Sequence, residues 1–186
     1  TVANSSGGFD RTDFYDTAGN DTFTAWSNRA TIVGAGMSHE AKGFRTVKAW
    51  ATTGVDSATF YDTAGYDMFI AGQVRGILTG AGFWNEAEGF DSTLAYSTGG
   101  GDRADFYDSV GDDLYTGWWN RATFTGVGFA HDARGFRTTK AWSSAGGNDR
   151  AVFYDSIGND LFIAGSLRAI LTGAGFWNEA EGFDQT

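Results

Sequence analysis

The chain predicts an all-β fold assembled from repeats, a parallel β-solenoid (β-helix). Three observations carry this reading. One phrase recurs four times: "TDFYDTAGNDTFTAWSN" from Thr12 returns as "ATFYDTAGYDMFIAGQV" from Ala58, "ADFYDSVGDDLYTGWWN" from Ala104 and "AVFYDSIGNDLFIAGSL" from Ala151. The composition has 28 Gly and no Pro among many Thr, Ser and aromatic residues, which is the vocabulary of strands joined by Gly- and Asp-containing turns. Inside each unit a shorter pattern recurs, with a small residue, a spacer, a large apolar residue, a spacer and then a polar residue, the period-two signature of a strand.

The units are anchored at Phe14, Phe60, Phe106 and Phe153. They run over 9–55, 56–101, 102–148 and 149–186, with 1–8 completing a unit and 1–186 forming a single repeat domain. Units one and three share "NRAT", "GFRT" and "KAW", whereas units two and four share "LTGAGFWNEAEGFD", so a doubled period near 93 overlies the single one. The shorter pattern places Phe14, Met37, Phe60, Phe83, Phe106, Phe129, Phe153 and Phe176 at 23-residue spacing, with one step of 24. That is the length of one solenoid coil, so the reading is about eight 23-residue coils in four repeats, with these eight residues as one internal stack. At about 4.8 Å per coil the rod is roughly 38 Å long. A second strand is read at "DTFTA", "DMFIA", "DLYTG" and "DLFIA", and a third at "RATIVG", "RGILTG", "RATFTG" and "RAILTG". Four units of about four strands also describe a four-bladed β-propeller, which stands as the alternative.

Two columns of side chains follow from the 23-residue register, and an Asp-rich turn recurs once per unit. Two beyond each apolar anchor lie Asp16, His39, Asp62, Asn85, Asp108, His131, Asp155 and Asn178, a structural ladder of turn-capping groups, since a run of unpaired buried carboxylates is costly. The spacer position carries Tyr61, Trp84, Tyr107, Tyr154 and Trp177, which point outward if the anchors point in. Such rings stack on one another along a sheet or on the faces of sugars. The turns "DTAGND", "DTAGYD", "DSVGDD" and "DSIGND" put two carboxylates five residues apart and make Asp16, Asp21, Asp62, Asp67, Asp108, Asp113, Asp155 and Asp160 the candidate cation ligands.

These turns resemble the haemolysin-type (RTX) repeat, G-G-x-G-x-D-x-U-x, in its later part. Asp16, Gly19, Asp21 and Phe23 carry the match, as do the corresponding residues of the other units, and the leading Gly-Gly has no counterpart. The resemblance implies calcium as the cofactor. The whole 46-residue phrase is also similar to the tandem modules of very large bacterial surface proteins, which implies an extracellular or cell-surface location and a non-catalytic role.

Charge and composition narrow the function classes. A formal charge of -10 opposes nucleic acid and anionic membranes. No apolar run reaches the roughly 18 residues of a bilayer span. With no Cys there is neither a disulfide framework nor a thiolate nucleophile. Lys42, Arg45 and Lys48, like Arg134, Arg137 and Lys140, stand where units two and four carry acids, so neighbouring units present opposite signs. No end cap is evident and the chain starts inside a repeat, which suggests a segment of something longer or copies stacking end to end. An enzyme is disfavoured: Glu86 and Glu88, the best carboxylate pair, recur as Glu179 and Glu181, and no unit holds a unique constellation. The expected function is a structural or adhesive repeat module whose partners are further copies of the repeat. The alternative is a carbohydrate-binding module with polysaccharide on the aromatic row.

Overall fold

The computed structural model describes residues 1–186, and no helix occurs among them. The chain opens with β1 (Val2–Asn4) and β2 (Arg11–Tyr15), then runs through β3 (Thr22–Trp26), β4 (Arg29–Gly34), β5 (Met37–Lys42) and β6 (Thr46–Trp50). The second unit supplies β7 (Ser57–Tyr61), β8 (Met68–Gly72), β9 (Arg75–Gly80), β10 (Phe83–Glu88) and β11 (Ser92–Tyr96). The third gives β12 (Arg103–Tyr107), β13 (Leu114–Trp118), β14 (Arg121–Gly126), β15 (Phe129–Arg134) and β16 (Thr138–Trp142). The last gives β17 (Arg150–Phe153), β18 (Leu161–Ala164), β19 (Arg168–Gly173) and β20 (Phe176–Glu181).

These strands form two facing ten-stranded sheets, one in the order β1-β5-β4-β3-β7-β11-β15-β14-β13-β17 and the other in the order β18-β19-β20-β16-β12-β8-β9-β10-β6-β2. Successive coils pair in parallel along one axis, as at β7–β11 and β12–β16, so the architecture is a β-solenoid and the propeller alternative falls. It winds through about five turns rather than eight. The difference lies in a feature the 23-residue register hides: β3–β5, β8–β10, β13–β15 and β18–β20 are antiparallel meanders that stay within one sheet. Their second hairpin turns on a glycine with positive φ, Gly36 (φ 71) and Gly82 (φ 90) in the first two units, a backbone state that other residues enter only with strain.

The meanders also redistribute the expected apolar stack. Phe14, Phe83, Phe106 and Phe176 lie in one sheet, while Met37, Phe60, Phe129 and Phe153 lie in the other. The continuous ladder is instead Phe14, Phe23, Phe60, Phe69, Phe106, Tyr115, Phe153 and Phe162, with successive ring centroids 5.8–6.2 Å apart. Each unit contributes its anchor and the ring nine residues on, one from each sheet, so the two sheets interlock along the axis. Alanines such as Ala25, Ala49, Ala71, Ala95 and Ala141 are fully or almost fully buried between them and let the sheets approach closely.

Candidate functional site

The Asp-rich turns connect one sheet to the other. In the first, Thr17 donates through both its N–H (3.1 Å) and its hydroxyl (2.8 Å) to Asp21 Oδ2, and the Asp21 N–H donates to Asp56 Oδ1 of the next coil at 2.7 Å. Asp56 in turn donates its N–H to Asp91 Oδ2 at 2.7 Å, so each carboxylate caps the backbone of its neighbour. The pattern repeats at Asp67–Asp102 (2.7 Å) and Asp113–Asp149 (2.8 Å). Asp16, Asp62 and Asp108 accept from the N–H groups of Thr52, Thr98 and Ser144 one coil away, which makes them turn caps between coils.

Of the eight predicted cation ligands, the structure gathers Asp16 with Asp21 and Asp62 with Asp67, each pair joined by a residue the sequence reading missed, Asp56 or Asp102; one oxygen from each member lies within 4.8 Å of the others. In the third unit the Asp113 N–H donates to Asp149 Oδ1, but Asp108, Asp113 and Asp149 do not gather as closely, while Asp155 is exposed at the last coil and Asp160 accepts only from Ser156. Burial raises the carboxyls of Asp56, Asp102 and Asp113 above the ordinary aspartate range, and neighbouring carboxylates add to the effect. Calcium takes six to eight oxygens at about 2.3–2.6 Å. Here most of the carboxylate oxygens already accept N–H or O–H donors, and the two buried ones that do not, Asp21 Oδ1 and Asp67 Oδ1, rest against Gly34 and Gly80 so closely that a Cβ on either glycine would overlap them. This donor set is that of a hydrogen-bonded turn. It also accounts for the glycine that ends every "RATIVG"-type strand.

The expected ladder Asp16, His39, Asp62, Asn85, Asp108, His131, Asp155 and Asn178 separates into two groups. The aspartates follow strands and cap turns, whereas the histidines and asparagines lie within β5, β10, β15 and β20. Asn85 donates to the Trp26 carbonyl (3.0 Å), Asn178 to the Trp118 carbonyl (2.9 Å), and His131 Nε2 contacts the Gly72 carbonyl at 3.1 Å. Each bond crosses the core to the last residue of a strand in the opposite sheet. A carbonyl only accepts, so His131 Nε2 carries the proton and Nδ1 accepts from the Thr93 hydroxyl at 2.7 Å. Burial lowers the His131 pKa to about 4, so the ring is neutral at pH 7.

Unit three varies this device. Tyr115, where the other units have Phe23, Phe69 and Phe162, bonds through its hydroxyl to Thr139, and Thr139 donates to Asn178 Oδ1 at 2.7 Å. Burial raises the Tyr115 hydroxyl, and the group stays protonated. Two residues on, Gly117 replaces the alanine of the other units. A Cβ there would lie 3.0 Å from the Tyr115 hydroxyl and 3.1 Å from Asn178, so the extra oxygen is accommodated by removing a methyl group.

The predicted outward row is not one row. Tyr61 is sandwiched between Trp26 and Tyr96, each at 5.3 Å and within 9° of parallel. Tyr107 stacks on Trp142 at 5.0 Å and Tyr154 on Trp118 at 5.4 Å, while Arg29, Arg134 and Arg121 lie over Trp26, Tyr96 and Trp118. Trp84 and Trp177 stand apart, donating to Glu86 (3.0 Å) and Glu179 (2.9 Å). Those glutamates are buried and paired with Lys48 (2.8 Å) and Lys140 (3.0 Å) on the adjoining strand. Tyr61 is therefore covered on both faces and Tyr107 and Tyr154 on one face each, while Trp84 and Trp177 remain 37% and 36% exposed. Comparisons of the chain with protein-family models, with curated proteins and with solved structures found no match.

Proposed function

We propose that the chain is a non-catalytic structural repeat module, a stiff spacer of an extracellular or cell-surface protein. The observation that carries this is the mutual pairing of its reactive side chains. Glu86 is held by Lys48 and Trp84, Glu179 by Lys140 and Trp177, and the aspartates by turn N–H groups, the glutamate sites in every second repeat and the aspartate turns in successive repeats rather than at one unique place. A catalytic group needs an uncommitted partner. The similarity of the 46-residue phrase to modules of bacterial surface proteins supports the extracellular placement.

The test is twofold. Spin labels on Asn4→Cys and Gly165→Cys, at opposite ends of the rod, in labelled chain diluted into an excess of unlabelled chain so that only distances within one chain are read, should give one narrow distance distribution by pulsed electron resonance. A glycan array should give no saturable binding. A broad distribution would remove the stiff spacer. Saturable glycan binding abolished by Trp84→Ala with Trp177→Ala would replace it with a carbohydrate-binding module.

A further inference from the structure

The end of the rod formed by the last repeat exposes surface that is covered everywhere inside it. In β8 Phe69 is fully buried, because β12 lies alongside with Arg103 opposite Met68, Ala104 opposite Phe69, Asp105 opposite Ile70 and Phe106 opposite Ala71. The equivalent strand β18 has nothing on that side, and Leu161, Phe162 and Ile163 are 57%, 50% and 48% exposed. Beside it, Phe153, Phe162 and Leu171 line a groove of about 560 Å³. An apolar open strand of this kind templates the pairing of another strand.

We infer that this face docks the opposite end of a second copy of the chain, head to tail. The inference rests on the spacer reading above and adds to it a partner and a register. The internal β8–β12 pairing is the template, and β2 is the counterpart of β12, with "RTDFY" for "RADFY". Transposed, β2 of the second copy lies parallel to β18 with Arg11 opposite Leu161, Thr12 opposite Phe162, Asp13 opposite Ile163 and Phe14 opposite Ala164. Phe14 of that copy then enters the groove beside Phe162, as Phe106 sits 6.2 Å from Phe69. The other sheet obeys the same rule. β7 pairs with β11 through Thr59–Leu94, Phe60–Ala95 and Tyr61–Tyr96, which transposes to Val152–Val2, Phe153–Ala3 and Tyr154–Asn4. A stub of this strand is already present, since Gln185 bridges Arg150 as Ser92 pairs with Ser57.

The contact is heterologous, and the two surfaces lie at opposite ends, so it does not close into a dimer and propagates as a filament. Each copy adds ten strands to each sheet, which gives an axial repeat of about 48 Å at roughly 4.8 Å per strand.

Sedimentation velocity over a range of concentrations tests this on the intact chain. The expected result is a weight-average mass that climbs from 19.9 kDa through twice that value and beyond, with no plateau at the dimer. Phe162→Asp should leave only the β2 end competent and Thr12→Lys only the β18 end, so each variant alone stays monomeric. Mixed in equal amounts, they should form a heterodimer and nothing larger, a result that also shows both are folded. Because the chain has no cysteine, Asp13→Cys combined with Ile163→Cys should oxidise into a ladder of linked chains, and Asp13→Cys with Leu161→Cys should not. A wild-type chain that stays monomeric, self-association of either single variant, or cross-linking in the wrong register overturns the docking. The spacer is overturned by the broad distance distribution or the glycan binding described above and by none of these three results, so the two failures are told apart.

Discussion

Replacing His131 with asparagine, the residue that the equivalent positions carry at Asn85 and Asn178, should flatten the acid limb of the stability curve. The buried imidazole has its pKa lowered from 6.5 to about 4 by loss of solvent. Its folded pKa lies below its unfolded value, so between these limits the unfolded chain binds more protons. The contribution of the neutral ring is complete above pH 6.5 and is lost as pH falls toward about 4. A shift of that size, at about 1.4 kcal/mol per pH unit, corresponds to about 3 kcal/mol lost on acidification. Protonation would also turn Nδ1 into a donor facing Thr93, whose hydroxyl now donates to it. The carboxyls of Asp56, Asp102 and Asp113 are raised, so their protonation on acidification acts in the opposite direction. Both proteins carry them, and the difference between the two curves isolates the ring. Urea unfolding at several pH values from about 7 to about 4 reads this difference. His131→Asn should retain the Gly72 bond in the manner of Asn85 on Trp26 and should lose less stability than the wild type by about 3 kcal/mol at the acid end. Parallel curves would refute the reasoning and place the ring in contact with water.

Three further outcomes follow from the same geometry. Gly34→Ala should cost about 1–3 kcal/mol in denaturant unfolding, because its Cβ meets Asp21 Oδ1; combined with Asp21→Ala the two costs should fall well short of additive, and strict additivity would dissociate the glycine from the turn. Gly117→Ala should destabilise the wild-type chain and be tolerated beside Tyr115→Phe, since that pair restores the phenylalanine and alanine of the other units; equal costs in both backgrounds, measured by melting temperature, would break the link. Calcium or a chelator should leave the melting curve unchanged, because the aspartates are held by N–H and O–H donors; a rise of several degrees with calcium, as a ligand at about 100 times its Kd gives by adding about 2.7 kcal/mol, would assign a cation to these turns.

The repeat and its strands were legible in the sequence because period-two alternation and like-on-like stacking need only residue types and spacing. The coil was misjudged for a definite reason. The 23-residue pattern is real, but its alternate members are different structures: Phe60 leads a strand that crosses once between the sheets, while Phe83 closes a meander. The signal that separates them is the glycine pair of "GAGM", "GAGF" and "GVGF", which marks a two-residue hairpin inside the supposed coil. For the sites, the turn aspartates were found but their third members were not. Asp56, Asp102 and Asp149 come from Gly-containing loops 35 or 36 residues further on, and only the stacking of coils brings them to Asp21, Asp67 and Asp113. For the aromatic row, no count of spacers shows that rings eleven residues out of phase, Trp26 and Trp118, lie against Tyr61 and Tyr154.

The doubled period near 93 has a topological cause. Going from one anchor to the next, the chain makes three passes, one single strand, one meander and one further single strand, and each pass changes sheet. Three is odd, so consecutive units begin in opposite sheets, and only every second unit returns to the same environment. A strict 46-residue repeat would suffice if both sheets made equal demands, and the ion pairs show that they do not. Lys48 of unit one binds Glu86 of unit two, and Lys140 of unit three binds Glu179 of unit four. Between units two and three the lysine position is Leu94, and its partner Asp132 turns to Arg121 and Arg134 instead. Alternation of basic and acidic units therefore ties them in pairs, and the 93-residue pair is the smallest piece of this chain that keeps each buried glutamate with its lysine. In urea unfolding, Lys48→Met should cost several kcal/mol, because it leaves the buried Glu86 carboxylate with the Trp84 N–H and with Arg75, 3.9 Å away, as its one remaining charged partner, whereas Lys48→Met combined with Glu86→Gln, which removes the buried charge and keeps an acceptor for Trp84, should cost less.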